Sequence, residues 1–415
     1  MVSRLPFYFL LTGLICFALF QIGTLSDFSA WLYEFSMEPR YPTGWAKAHL
    51  HVLGWATMIA MGAVYQLVPV VLQNHKLFSE RLGYIQYGVF TFGFAGLMIG
   101  FQQMNVLMIG GFATIAFLGI LIFAGNIGMT LARANLWNHV TVSCAIAVGH
   151  LVLTGVAGML MGLNFAFEWL GTFHDQLLGA HLWFGAIGWF GFLITGFSYK
   201  LFPMFYLSHG HSEVLQRWVM GFLFSGVWMG VISFLLNAPA WSHWIGLLCT
   251  AAGFTIYVYH LGQICKSRHK ANPGAGILWS WLLAQGIAVI VVLLVIVSAV
   301  FPDLILSPRM TAVIGWMYLW GWVGMTIMAY LSKIIPFLWW TYRYGSRVGQ
   351  VKIPTMADLI DDRKVNILLM AVAVSLFILL IGFGWNLPLV LSIGGSLLAV
   401  SALVYVGLLA AVFTK

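Results

Sequence analysis

Charge is what this chain lacks most. Asp, Glu, Lys and Arg make up 7% of its 415 residues, against roughly a quarter in a soluble domain. Too few remain to solvate a globular surface of that size, which excludes a soluble enzyme, a nucleic-acid reader and a disordered chain. Cysteine is nearly as scarce. Cys16, Cys144, Cys249 and Cys265 stand apart, and no Cys-x-x-Cys pair exists. A dithiol centre, a cysteine zinc site and covalently attached haem c are therefore not expected. The 11 carboxylates all fall in loops or at the ends of apolar runs. Buried carboxylates usually mark proton relays and ion coupling, so their absence from mid-span weighs against proton pumping and ion-coupled transport. Apolar length, by contrast, is abundant: 61% of residues are hydrophobic and the mean hydropathy is +0.95. At about twenty residues per bilayer crossing there is room for about twelve crossings.

Apolar runs separated by polar punctuation fall at 5–26, 46–72, 83–104, 107–131, 139–165, 176–205, 214–236, 242–264, 277–300, 310–340, 366–383 and 388–413. They predict an all-α integral membrane fold, a bundle of twelve transmembrane helices forming a single domain over 1–415. The short alternating segments of a β-barrel are absent from the pattern. The run from Leu5 to Leu25 behind Arg4 is longer than a signal peptide's apolar region and lacks a clear small-residue cleavage site, so it is expected to remain as the first span. Of the 19 Lys and Arg, only Arg40, Lys47 and Arg309 fall on the side opposite the N-terminus. Cytoplasmic loops retain positive charge, which predicts a multi-pass protein of the cell membrane with both termini in the cytoplasm. The formal net charge of +8 is then a topology signal, and no nucleic-acid partner is expected. The longest polar stretch, Thr341 to Lys364, reads as a cytoplasmic connector.

The pattern also repeats. Gly54-Trp55, Gly62, Tyr65 and Pro69 recur 134 residues later as Gly188-Trp189, Gly196, Tyr199 and Pro203. A weaker third copy is read through Trp316 or Trp320, Tyr330 and Pro336. Glycines let membrane helices approach, and a terminal proline ends a span. An internal repeat is expected on this basis. The 19 tryptophans are ascribed to interfacial belts and packing.

Histidine carries the chemistry. His75, His139, His209, His211, His260 and His269 fall in loops or near span ends on the N-terminal side and read as solvated or interfacial. His209-Gly210-His211 offers two donors, a weak metal signal by itself. His174 lies beside Asp175 in an outer loop, and His243 opens a span. His49, His51, His150 and His181 differ because they lie inside apolar helices. At 1.5 Å rise per residue, His49, His51 and His181 sit roughly 8–11 Å inside the outer boundary, with His150 deeper. A neutral imidazole in hydrocarbon needs a partner: either a helix carbonyl or tyrosine, or a metal that uses its lone pair. Three at matched depth on two helices favour cofactor ligation. His49 and His51 point about 200° apart around an ideal helix, so only one of them can face a given iron.

These residues carry a resemblance. Ala48-His49-Leu50-His51 through Gly62-Ala63-Val64-Tyr65-Gln66-Leu67-Val68-Pro69 resembles the second helix of the haem–copper oxidase catalytic subunit, nearest to its nitric oxide reductase and C-family branches. In that family this helix supplies a histidine to the low-spin haem. Ala180-His181-Leu182-Trp183 resembles the nitric oxide reductase helix whose histidine binds the non-haem metal. The double histidine and Gly185-Ala186-Ile187-Gly188 are also similar to the NnrS group of haem–copper membrane proteins. The chain departs from the family as well. Val214 to Leu236 lacks the paired histidines of the seventh helix, Thr311 to Pro336 lacks the His-x-His of the tenth, and Gly185 follows His181 where relatives place tyrosine or glutamate.

The resemblance implies a haem b protein handling electrons, O2 or NO, leaning towards an oxidoreductase, and the missing mid-span carboxylates imply that it does so without proton pumping. Depth and the need to satisfy an intramembrane imidazole make its ligands His49 or His51, on the span the resemblance points to, and, opposite, His181 or His150, with Met317 as a fallback. Copper or non-haem iron would sit at His181. An electron-donor protein, a quinol or a second subunit would be its partners in the lipid bilayer. The alternatives are a haem- or copper-binding assembly or nitrosative-stress protein without turnover, and a cofactor-free transporter.

Overall fold

A computed structural model describes residues 3–26, 42–73, 76–301, 304, 307–348, 350 and 352–415. His75, Arg40, Asp27, Glu34, Glu38 and Asp303 lie outside the described residues. Among the described residues no strand occurs, and twelve helices are long and apolar enough to cross a membrane. They are α1 Leu5–Ser26, α2 Gly44–Val71, α3 Glu80–Gln102, α4 Val106–Ala134, α5 His139–Phe167, α6 Phe173–Tyr206, α7 Glu213–Leu235, α8 Ala240–Lys266, α9 Ala275–Val300, α10 Arg309–Arg347, α11 Asp362–Gly384 and α12 Pro388–Thr414. The expected all-α, twelve-span fold is thus what the chain forms.

Helix ends depart from the apolar runs for a local reason: caps are polar. α3 begins ahead of its apolar run because the Ser79 side chain accepts the Leu82 N–H at 3.1 Å. α11 begins early because the Asp361 carboxylate accepts the Arg363 N–H at 2.8 Å. α5 starts on a capping box in which Asn138 accepts the Thr141 N–H and the Thr141 hydroxyl accepts the Asn138 N–H. The larger correction is at α10, which continues to Arg347 rather than ending at 340. The expected connector is helical at its start, and its later part is pinned where the Trp340 indole N–H donates to the Pro354 carbonyl at 2.7 Å.

α2, α6 and α10 share an unusual feature. Each contains eight residues of π-helix, Leu50–Thr57, Phe184–Gly191 and Met317–Gly324, starting 134 and then 133 residues apart. A π turn carries one extra residue and is a frequent mark of functional sites. Within each stretch lies a Gly-Trp pair, at 54–55, 188–189 and 321–322, and each helix later carries a proline, Pro69, Pro203 and Pro336. The third copy therefore falls on Gly321-Trp322, and neither Trp316 nor Trp320 is the matching tryptophan. Ser332, not Tyr330, stands at the place of Tyr65 and Tyr199.

Contacts cluster into two compact units. The first comprises Met1–Ala63, Asn272–Ala284 and Leu306–Lys415. Inside it, α1 packs on the π stretch of α2, with Gly13 against Ile59 and the Trp55 carbonyl. The Tyr405 hydroxyl of α12 donates to the Met328 carbonyl of α10 at 2.7 Å, and Lys333 of α10 pairs with Asp362 of α11 at 2.9 Å. The second unit comprises Val64–Ala271 and Gln285–Ile305. There the Asn126 side chain holds the start of α3, accepting the Ser79 N–H and donating to the Ser79 carbonyl. Ser143 of α5 donates to the Phe192 carbonyl of α6 at 2.8 Å.

Candidate functional site

In the first unit the π stretch of α2 separates its two histidines. His49 is half-buried, and its Nδ1–H donates to the Trp45 carbonyl one turn back at 2.7 Å. His51 turns the other way and is 5% exposed. Trp55 meets its edge at 4.7 Å between ring centres, Trp320 stacks on it at 5.2 Å, and Phe20 and Phe17 lie at 5.0 and 6.5 Å. Neither ring nitrogen of His51 has a hydrogen-bond partner among the described residues. Leaving a buried polar atom unpaired costs about 1–3 kcal/mol. An imidazole kept in that condition inside an aromatic wall is a donor without a recipient. Trp320 matters here through α10, where the π stretch Met317–Gly324 carries it into the same cluster. Met317 itself is half-buried and occupies the place in the repeat held by Leu50 and Phe184.

The second unit holds the other two intramembrane histidines. His150 of α5 is 2% exposed and lies among Phe184 and Phe192 of α6 and Phe224 and Trp228 of α7, 5.6–6.3 Å between ring centres. Its Nδ1 has no partner among the described residues. Gly188 makes room for it: a Cβ there would lie 2.7 Å from the His150 Cβ. His181 of α6 donates Nδ1–H to the Thr154 carbonyl at 2.9 Å, which leaves the lone pair on Nε2, the tautomer common among metal-bound histidines. A Cβ on Gly158 would lie 3.2 Å from its ring. His150 thus faces Gly188, while His181 lies seven residues earlier on α6, about 10 Å along the axis. The two do not share one ion. In the repeat register His181 matches Lys47, and His51 matches Gly185 and Tyr318, so no histidine position is itself repeated.

A third histidine, expected from its place near a span end to be solvated or interfacial, is buried. His260 of α8 is 0% exposed, and neither of its ring nitrogens is hydrogen-bonded among the described residues. Its ring lies 5.1 Å from that of Tyr199 on α6 and 6.4 Å from that of His211 in the following loop. Burial holds the His211 imidazole below its usual range. The sequence gives no sign of this burial, because His260 stands six residues from the Lys266 end of its span. A faint signal was present in Tyr199, which belongs to the repeat. Among the remaining histidines, His139 lies 3.9 Å from the exposed Glu213 carboxylate, and His174 Nδ1 lies 3.0 Å from the Asn164 side-chain nitrogen.

Among the described residues no three His, Cys, Asp or Glu side chains are grouped so as to hold a metal ion. Comparison with protein-family models and with curated proteins gives no match to this chain.

Proposed function

We propose that this chain is a haem b-binding protein of the cell membrane, with both termini cytoplasmic, in which His51 supplies an axial ligand. The observation that carries the reading is the bare His51 imidazole, enclosed by Trp55, Trp320, Phe17 and Phe20. The donor fits an iron: neutral, buried, with lone-pair capacity and no competing partner among the described residues. Its setting also fits a macrocycle, since flat aromatic walls pack against porphyrin faces. Trp320 stacks on the imidazole, so occupancy of the site requires that ring to move. His49 is already satisfied by the Trp45 carbonyl and is assigned to positioning the helix. A haem bound there supplies one-electron exchange and an iron able to take a diatomic ligand. The resemblance of α2 to the haem–copper oxidase helix supports the same assignment. The mid-span stretches without carboxylates support electron or NO handling without redox-linked proton pumping.

The test is spectroscopic. Detergent-purified wild type should show a Soret band that shifts on dithionite reduction. His51→Ala should lose most of the haem, while His49→Ala keeps it. A colourless, metal-free wild-type protein overturns the haem reading. Full haem in His51→Ala, with loss in His49→Ala, overturns the ligand assignment alone.

A further inference from the structure

The second unit carries a polar cluster that the haem reading does not use. It lies where α6 ends and the chain turns into the Leu207–Ser212 loop towards α7. Tyr199 of α6, His211 of the loop and His260 of α8 meet there. The Tyr199 hydroxyl and both His260 nitrogens are buried without a hydrogen-bond partner among the described residues. Tyr257, next to them, is satisfied by donating to Ser198 at 2.8 Å.

His211 is prepared for a lone-pair role. The Ser208 hydroxyl has carbonyl acceptors at Ile264, 3.0 Å, and Ser267, 3.2 Å, so its own proton can go to a carbonyl. Its oxygen can then accept from His211 Nε2–H, 3.0 Å away, in the tautomer that puts the lone pair on Nδ1. A hydroxyl that fixes the tautomer is the outer-shell support that metal-binding histidines usually have. Opposite stands His260, whose lone pair is also unused. Two imidazoles each about 2 Å from a shared ion bring their ring centres to about 5–6.5 Å, and the two rings lie 6.4 Å apart.

We propose that His211 and His260 are the two nitrogen ligands of a Cu(I) ion, with the Tyr199 hydroxyl beside it. The choice of ion follows from number and charge. Zinc takes four ligands in structural sites, and magnesium and calcium take oxygen donors, mostly carboxylates. Here there are two imidazoles and, among the described residues, no carboxylate grouped with them. Lys200, Arg217, Lys266, Arg268 and Lys270 are the cations nearest along the chain, a setting that disfavours a divalent ion more than a monovalent one. Glu213, the closest carboxylate in sequence, is exposed and directed to His139. A monovalent ion of low coordination number that accepts imidazole is Cu(I). This site uses neither His51 nor His181, so it stands or falls apart from the haem.

Full-length protein in detergent is titrated anaerobically with Cu(I) held by bicinchoninate, with haem content measured in parallel. Wild type should take one equivalent of Cu(I) more than His211→Ala or His260→Ala. Tyr199→Phe, His209→Ala, His269→Ala and His51→Ala should keep that equivalent. X-ray absorption at the copper edge should show two nitrogen-type scatterers in the wild type and lose them in His211→Ala. His211 lies in a partly exposed loop, so His211→Ala decides the matter even if His260→Ala does not fold. Equal Cu(I) uptake by wild type and His211→Ala overturns the proposal. So does loss of the equivalent in His209→Ala or His269→Ala, or equally tight uptake of Zn(II) at the same residues.

Discussion

Leu207 closes α6 in the left-handed region, φ 51°, with its amide bonded to the Pro203 carbonyl. A bulky side chain is strained there, and glycine is the usual occupant of that cap position. Leu207 is 51% exposed, so replacing it sacrifices little burial. Leu207→Gly should therefore stabilise the protein by about 0.5–1 kcal/mol; a lower melting temperature in detergent would show that the leucine packs usefully. Residue identity is legible in a sequence, but surroundings are not. His51 stands out because it interrupts an apolar run. Its separation from His49 followed from helix geometry, and the structure turns the two to different partners. His260 looked like an end-of-span histidine and proved fully buried, because what encloses it, Tyr199 and the loop after α6, comes from 49–61 residues away in sequence.

At the scale of the element, the three π stretches explain why the repeat is clear in two copies and blurred in the third. The second spacing is one residue shorter than the first, and Trp316 and Trp320 crowd the neighbourhood of the true match, Trp322. No local composition announces a π turn, so that part was out of reach until the backbone was seen. The three equivalent glycines are also not equally constrained. Gly188 faces His150 at 2.7 Å for a built Cβ, whereas the nearest atom at Gly321 is the Leu376 Cδ2, 3.6 Å away. Gly188→Ala should destabilise by about 1–3 kcal/mol through overpacking. Gly321→Ala should be neutral or gain up to about 1 kcal/mol from helix propensity. Thermal unfolding of both variants in one detergent checks this, and equal effects would count against the packing difference.

At the scale of the whole molecule, the twelve spans were legible because apolar length is a coarse property that tolerates local error. Caps at Ser79 and Asp361 moved the ends, and α10 outran its apolar stretch, yet no span was gained or lost. Orientation rests on charge alone. A fluorescent protein fused after Lys415 should glow in cells, and alkaline phosphatase fused at the same point should be inactive; the opposite pair of results would invert the topology. One feature of the packing bears on how such a chain assembles. α3 and α4 meet at Gly93 against the Ala116 backbone and at Gly119 against Phe90, α7 and α8 at Gly226 and Gly246, and α11 and α12 at Gly382 and Gly394. Each of these pairs is joined by a link of three or four residues, Gln103–Asn105, Leu236–Pro239 and Trp385–Leu387. Their closest backbone contacts need little loop closure and no distant partner. Each hairpin can therefore zip shut as soon as both its helices have left the ribosome and entered the bilayer. The π-bearing helices α2 and α10, whose His51, Trp55 and Trp320 rings pack together from segments remote in sequence, then settle late, against neighbours already in place.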